Sequence, residues 1–154
     1  MCAFFFSVFA AASIAFGEPV VVIVRHAEKV DNSNDPDLSD VGQSRAAALA
    51  QILKDAHITA IFATEFKRTQ ETAAPLAKAI GITPTIVPAK DYITLVSKLR
   101  KVDGAALVVG HGNTIPDILK ALGIETPVKI SDDDYTNLFV IALQQKPRLL
   151  QLHY

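Results

Sequence analysis

Val20-Val21-Val22-Ile23-Val24 is a run of β-branched residues that ends abruptly at Arg25-His26. A strand with one wet face alternates apolar and polar side chains. This run does not alternate, so it reads as a strand buried on both faces, with a layer above and a layer below. Ala105-Ala106-Leu107-Val108-Val109 repeats the pattern and ends at Gly110-His111-Gly112. A cation and an imidazole thus follow one buried strand, and a second imidazole follows another. The carboxyl ends of central strands are where open α/β sheets build their sites.

Helical segments fall between the strands. Asp31 to Asp37 is a loop by composition, and Leu38-Ser39-Asp40-Val41-Gly42 opens a helix. Ser39 suits the N-cap and Asp40 the positive end of the dipole. Leu49, Ile52, Leu53 and Ala56 give that helix its apolar stripe. Ala60 to Ala63 reads as a second strand. A helix entered at Thr64 to Thr69 follows it to Ile80, with Gly81 as its stop and Pro75 inside it. Thr83 to Val87 reads as a third strand, and Tyr92, Leu95, Val96 and Leu99 mark a helix stopped by Gly104. After His111, Thr114 is the expected cap of a helix with Pro116 in its first turn and Gly123 past its end. Asn137 to Leu143 and Arg148 to Leu152 close the chain as paired strands. Strands alternating with helices imply βαβ units, a largely parallel sheet and helices on both faces. The expected fold is therefore a three-layer α/β/α sandwich. On its sheet edge Arg25, His26 and His111 meet, with Arg68 brought there by the loop after the second strand.

The 154 residues suit one domain, and with half of them hydrophobic and a fifth charged the chain is globular. A formal net charge of −1 and the lack of any Lys/Arg run argue against a nucleic-acid partner. Cys2 is the only cysteine, which excludes an intramolecular disulfide and a cysteine-based zinc site.

The four motifs Arg25-His26-Ala27-Glu28, Leu38-Ser39-Asp40-Val41-Gly42, Arg68-Thr69-Gln70-Glu71-Thr72-Ala73 and Val109-Gly110-His111-Gly112 resemble the histidine phosphatase superfamily, also called phosphoglycerate mutase-like. The resemblance runs from about Val20 to the last strand. Short length and the lack of a long insertion are similar to its small phosphohistidine-phosphatase branch. What the resemblance implies is a phosphate pocket of Arg25, Arg68, His26 and His111, with no metal and no cofactor. His26 would be the nucleophile and must be neutral, its proton disfavoured by cationic neighbours. A backbone carbonyl on its other nitrogen would fix the tautomer. The arginines and His111 would stabilise charge on the phosphoryl oxygens. Asn113 is a further candidate donor to the phosphate, and Thr64 aligns with a position where the family often has Ser.

Two departures stand out. Ala27 replaces the usual Gly after the nucleophile. Larger relatives also supply an acid after the third strand; here the candidates are Asp91 and, from the loop beside His26, Glu28. The expected activity is hydrolysis of a phosphomonoester, the substrate being a phosphorylated small molecule or a phosphoprotein. The alternatives are a phosphohistidine or phosphoprotein phosphatase and a non-catalytic phosphate-binding module. His57 and His153 match no motif and read as structural.

Ala3 to Phe16 is apolar apart from Ser7 and Ser13, a length that suits a signal-peptide core better than a membrane span. Small residues Ala15 and Gly17 precede Glu18. No basic residue precedes the run, against the usual pattern. The expected domains are a signal peptide over 1–17 and a catalytic domain over 18–154, exported to a periplasmic or extracellular space. Retention of the segment would leave the protein cytoplasmic or anchored. Mature protein is expected to begin near Glu18, which N-terminal sequencing from the native host checks; an intact Met1 on soluble cytosolic protein would oppose it.

Overall fold

The computed structural model describes residues 18–154. The segment 1–17, expected to be a signal peptide, lies outside the described residues. The elements run β1 (Val20–Arg25), α1 (Asp40–Leu53), β2 (Ile58–Ala63), α2 (Lys67–Ile80), β3 (Thr85–Ile86), α3 (Tyr92–Leu99), β4 (Ala105–Gly110), α4 (Ile115–Ala121), β5 (Asn137–Ala142) and β6 (Arg148–His153). One six-stranded sheet takes the order β3-β2-β4-β1-β5-β6. The pairs β3·β2, β2·β4 and β4·β1 are parallel, while β1·β5 and β5·β6 are antiparallel.

β1 is buried on both faces because two different cores use it. Val21 and Ile23 pack with α3, α4 and Phe139. Val22 and Val24 pack with Leu49 and Leu53 of α1 and Leu76 of α2. The helices therefore form a layer on each side, and the expected three-layer sandwich is the observed one. Among the described residues no helix is long and apolar enough to cross a membrane.

Local expectations fail in three places. The third strand shrinks to Thr85 and Ile86, both exposed. It is an edge strand, and Pro84 has no N–H to offer a ladder. The second strand begins earlier, at Ile58, with a register shift between Ile58 and Ala60. Thr114 stands at the start of α4 but makes no cap bond to it. Its hydroxyl instead accepts the His111 N–H at 3.3 Å, closing the turn after β4. Ser39 caps α1 as expected, accepting from Gly42 N. α2 runs through Pro75 and ends at Gly81, whose φ of 71° is the left-handed stop.

The loop after β1 is clamped from two sides. Glu28 O accepts from Ser39 N at 2.9 Å, and the Gly42 backbone lies against the same carbonyl. A Cβ at position 42 would overlap Glu28 O and sit 3.0 Å from Glu28 N. From the other side, Ala27 N donates to Thr72 Oγ1 at 2.9 Å. Gly42→Ala is expected to cost about 1–3 kcal/mol, the range for overpacking a rigid contact, and to move the Ala27-Glu28 backbone. Urea denaturation reads the first effect; an unchanged midpoint would refute this account of the glycine.

Candidate active site

The parallel register aligns Arg25 with Gly110, so His26 and His111 leave adjacent strand ends together. His26 N also donates to Gly110 O at 2.9 Å, extending the ladder one residue beyond the strand. The two imidazoles lie edge to face, ring centroids 5.4 Å apart. Both are buried.

His26 Nδ1 lies 2.8 Å from Ala27 O. A carbonyl only accepts, so Nδ1 carries the proton and Nε2 keeps its lone pair. Burial pushes His26 down to about 3; His111, Arg25 and Arg68 add to this, against the Ala27 carbonyl. The neutrality anticipated from cationic neighbours thus has burial as its main cause. His111 is pushed down to about 4, by burial first and then by Arg68 and Arg25. Its Nε2 is 3.0 Å from Thr64 Oγ1, and Phe66 packs edge-on against its ring at 5.3 Å.

The two arginines are built alike. Arg25 Nη1 donates to Ser131 O at 2.9 Å and Asp134 O at 3.1 Å, and its guanidinium lies 4.2 Å from the Tyr135 ring centroid. Gly112 lies alongside it, a Cβ built there standing at ordinary contact distance, 3.5 Å, from the guanidinium. Arg68 Nη1 donates to Asn34 O at 3.3 Å and faces Asp35 at 3.8 Å, with Phe66 4.3 Å beneath its guanidinium. In both residues Nε is buried and has no hydrogen-bond partner among the described residues. One edge of each fork is fastened, and the Nε of each remains to bond.

The Arg68-x-x-x-Thr72 spacing has a mechanical reason. Thr72 sits one turn below Arg68, donates to Arg68 O at 2.7 Å and receives the Ala27 N–H. It couples the second arginine's helix to the loop beside His26. Ala27 suits this place because its methyl is fully buried with Leu38 and Ala46.

Each of the two candidate acids has a partner of its own. Glu28 is bound through both oxygens by Arg45 Nε, at 2.9 and 3.0 Å. Burial raises its carboxyl, but Arg45 more than offsets this and holds it below the usual range. It is an ion-pair partner and not a ready proton donor. Asp91 caps α3, accepting from Thr94 N at 3.1 Å. Asn113 is exposed on the turn between β4 and α4. His153 bonds Thr136 Oγ1 at 3.0 Å, and His57 takes a left-handed φ of 51° before β2.

Sequence reasoning missed Asp35, Ser131, Asp134 and Tyr135. Asp35 had a signal. A cation in the first turn of α2 opposes the helix dipole unless an anion is near. Asp35 supplies it, accepting Lys67 N at 2.9 Å across the open helix end, where Phe66 offers no side-chain cap.

A model of the histidine phosphatase superfamily (branch 1) matches residues 21–90. That match covers 70 of the 154 residues, and over them the chain is similar to the histidine phosphatase superfamily. It is 39% identical to phosphoserine phosphatase 1 of Hydrogenobacter thermophilus, over 38% of this chain and 31% of that protein. It is 33% identical to the PE-PGRS family protein PE_PGRS11 of Mycobacterium tuberculosis, over 50% of this chain and 15% of that one. The chain therefore spans less than a third of either curated relative. Among solved structures, the protein histidine phosphatase SixA complexed with tungstate superposes with a TM-score of 0.69 at 16% identity, over 87% of this chain and 96% of that one. A mycobacterial glucosyl-3-phosphoglycerate phosphatase gives 0.67 at 15% identity, over 88% and 97%. These similarities establish the phosphoglycerate mutase-like fold.

The two buried neutral histidines set an acid limit on stability. Above pH 6.5 the imidazoles are neutral folded or unfolded. Below it the unfolded chain takes up protons that the folded chain refuses, so stability falls. The loss runs at up to about 1.4 kcal/mol per pH unit per histidine. It ends as pH drops through about 4 for His111 and about 3 for His26. The urea midpoint is expected to fall between pH 7 and pH 5, and to fall less in His26→Gln and in His111→Gln. Equal acid sensitivity in all three proteins would contradict the assignment.

Proposed function

We propose that the protein is a phosphatase that hydrolyses a phosphomonoester through a covalent phosphohistidine on His26, without a metal. The observation that carries this reading is the pair of buried, unpartnered Nε donors of Arg25 and Arg68, on fastened guanidiniums, beside two neutral imidazoles. A phosphoryl group matches that set. Its oxygens accept from the guanidinium forks, and its phosphorus faces an imidazole nitrogen with a free lone pair. Structural neighbours solved with tungstate and with inorganic phosphate, both tetrahedral anions, support the reading.

In this reading His26 Nε2 attacks phosphorus while Arg25 and Arg68 bind the non-bridging oxygens. His111 and, from the neighbouring turn, Asn113 stabilise the charge that builds on them. The loops that fasten the arginines reduce the reorganisation required during the reaction. Water then attacks the phosphohistidine and releases phosphate.

The test is brief incubation with a labelled phosphomonoester in excess chelator, followed by a quench. Wild type should carry label that is lost in acid and kept in base, as a phosphoramidate is. His26→Ala should carry none. His111→Ala should still label, slowed by roughly 3–4 kcal/mol, the cost of removing one transition-state donor. Label retained in His26→Ala, or labelling abolished by the chelator, would overturn the mechanism.

A further inference from the structure

An alkoxide leaving group needs a proton; Glu28 is engaged by Arg45 and Asp91 caps α3. A third carboxylate remains. Glu65 lies in the turn between β2 and α2, between two residues that both touch His111: Thr64 through its hydroxyl and Phe66 through its ring. Its Oε2 accepts from Ala89 N at 2.8 Å, which lays the side chain against the segment joining β3 to α3. The residue is exposed, so the carboxyl is open to an incoming group. It is also near enough for its charge to act on His111, whose protonated form it favours.

We infer that Glu65 is the general acid and base of this reaction, serving the leaving-group side of the pocket from the β2–α2 turn. The inference rests on the phosphohistidine reading above. As the His26 Nε2 lone pair forms the bond to phosphorus, the phosphorus–oxygen bond to the leaving group breaks. Its electron pair goes to the leaving oxygen, which takes the proton from the Glu65 carboxyl. The alcohol departs and Glu65 is left as a carboxylate. In the second half, Glu65 takes a proton from water as the water oxygen bonds to phosphorus. The phosphorus–nitrogen bond breaks, its electrons return to Nε2, and phosphate leaves with Glu65 protonated again.

Glu65→Gln keeps an oxygen for the Ala89 N–H and removes only the transferable proton. The readout is kcat/KM on two substrates, 4-nitrophenyl phosphate, whose phenolate leaves without help, and glycerol 2-phosphate, whose alkoxide does not. The variant should lose on the order of 10²- to 10⁴-fold on the alkyl ester and less than about tenfold on the aryl ester. A role limited to holding the Ala89 segment would lower both substrates together, and that result overturns the inference. So does an unchanged alkyl rate, or selective alkyl loss in Asp91→Asn instead. A wild type that turns over the aryl ester but not the alkyl ester overturns the inference and leaves the phosphatase reading standing. Turnover of neither ester overturns that reading, and the inference with it.

Discussion

The parallel pairing of β1 with β4 aligns Arg25 with Gly110, and the next residue on each strand is a histidine. The rest of the site depends on that register. A slip of one residue would turn each side chain of β1 to the opposite face. Val21 and Ile23 would then face α1 and α2, and Val22 and Val24 the other helices. With both faces filled, the register that satisfies the two cores also sets the two imidazoles side by side. Packing and site geometry are here fixed by the same contacts.

Around this axis the charged groups are secured by main chain more than by salt bridges. Arg25 is held by two carbonyls and an aromatic face, Arg68 by one carbonyl, an aromatic face and a distant carboxylate. Carbonyls orient a guanidinium without neutralising it. The positive potential therefore stays available to an anion, whereas close carboxylates on both forks would cancel it. Arg45 shows the contrast, since its guanidinium is spent on Glu28.

Much of this was legible in the sequence. The unbroken apolar runs gave β1 and β4, and the Ser39, Gly81 and Gly123 signals bounded three helices, because those features are set by neighbours along the chain. The grouping of Arg25, His26, Arg68 and His111 followed from topology once the sheet was taken as parallel. The partners of the arginines did not follow. Ser131 and Asp134 act through their carbonyls, which every residue type has, so no side chain marks them. The pairing of Glu28 was not legible either, because its partner Arg45 lies seventeen positions away on another element. The contact of Glu65 is equally unmarked in the sequence, because its partner is a backbone N–H across a loop.

The sheet changes direction between β1 and β5, and that reversal divides its site edge into two chemical kinds. On the parallel side, strands end there and α2 and α4 begin nearby, so the backbone presents N–H groups, a lining that suits anions. β5 runs the other way and starts at this edge, so the chain arrives there through the turn of Ser131 to Asp134, carbonyls forward. That lining suits a cation. Arg25, last residue of β1, stands on the seam between them, its Nη1 on the carbonyl side. A sheet parallel throughout would have had donors on both sides of the seam and nothing of its own backbone with which to hold a guanidinium.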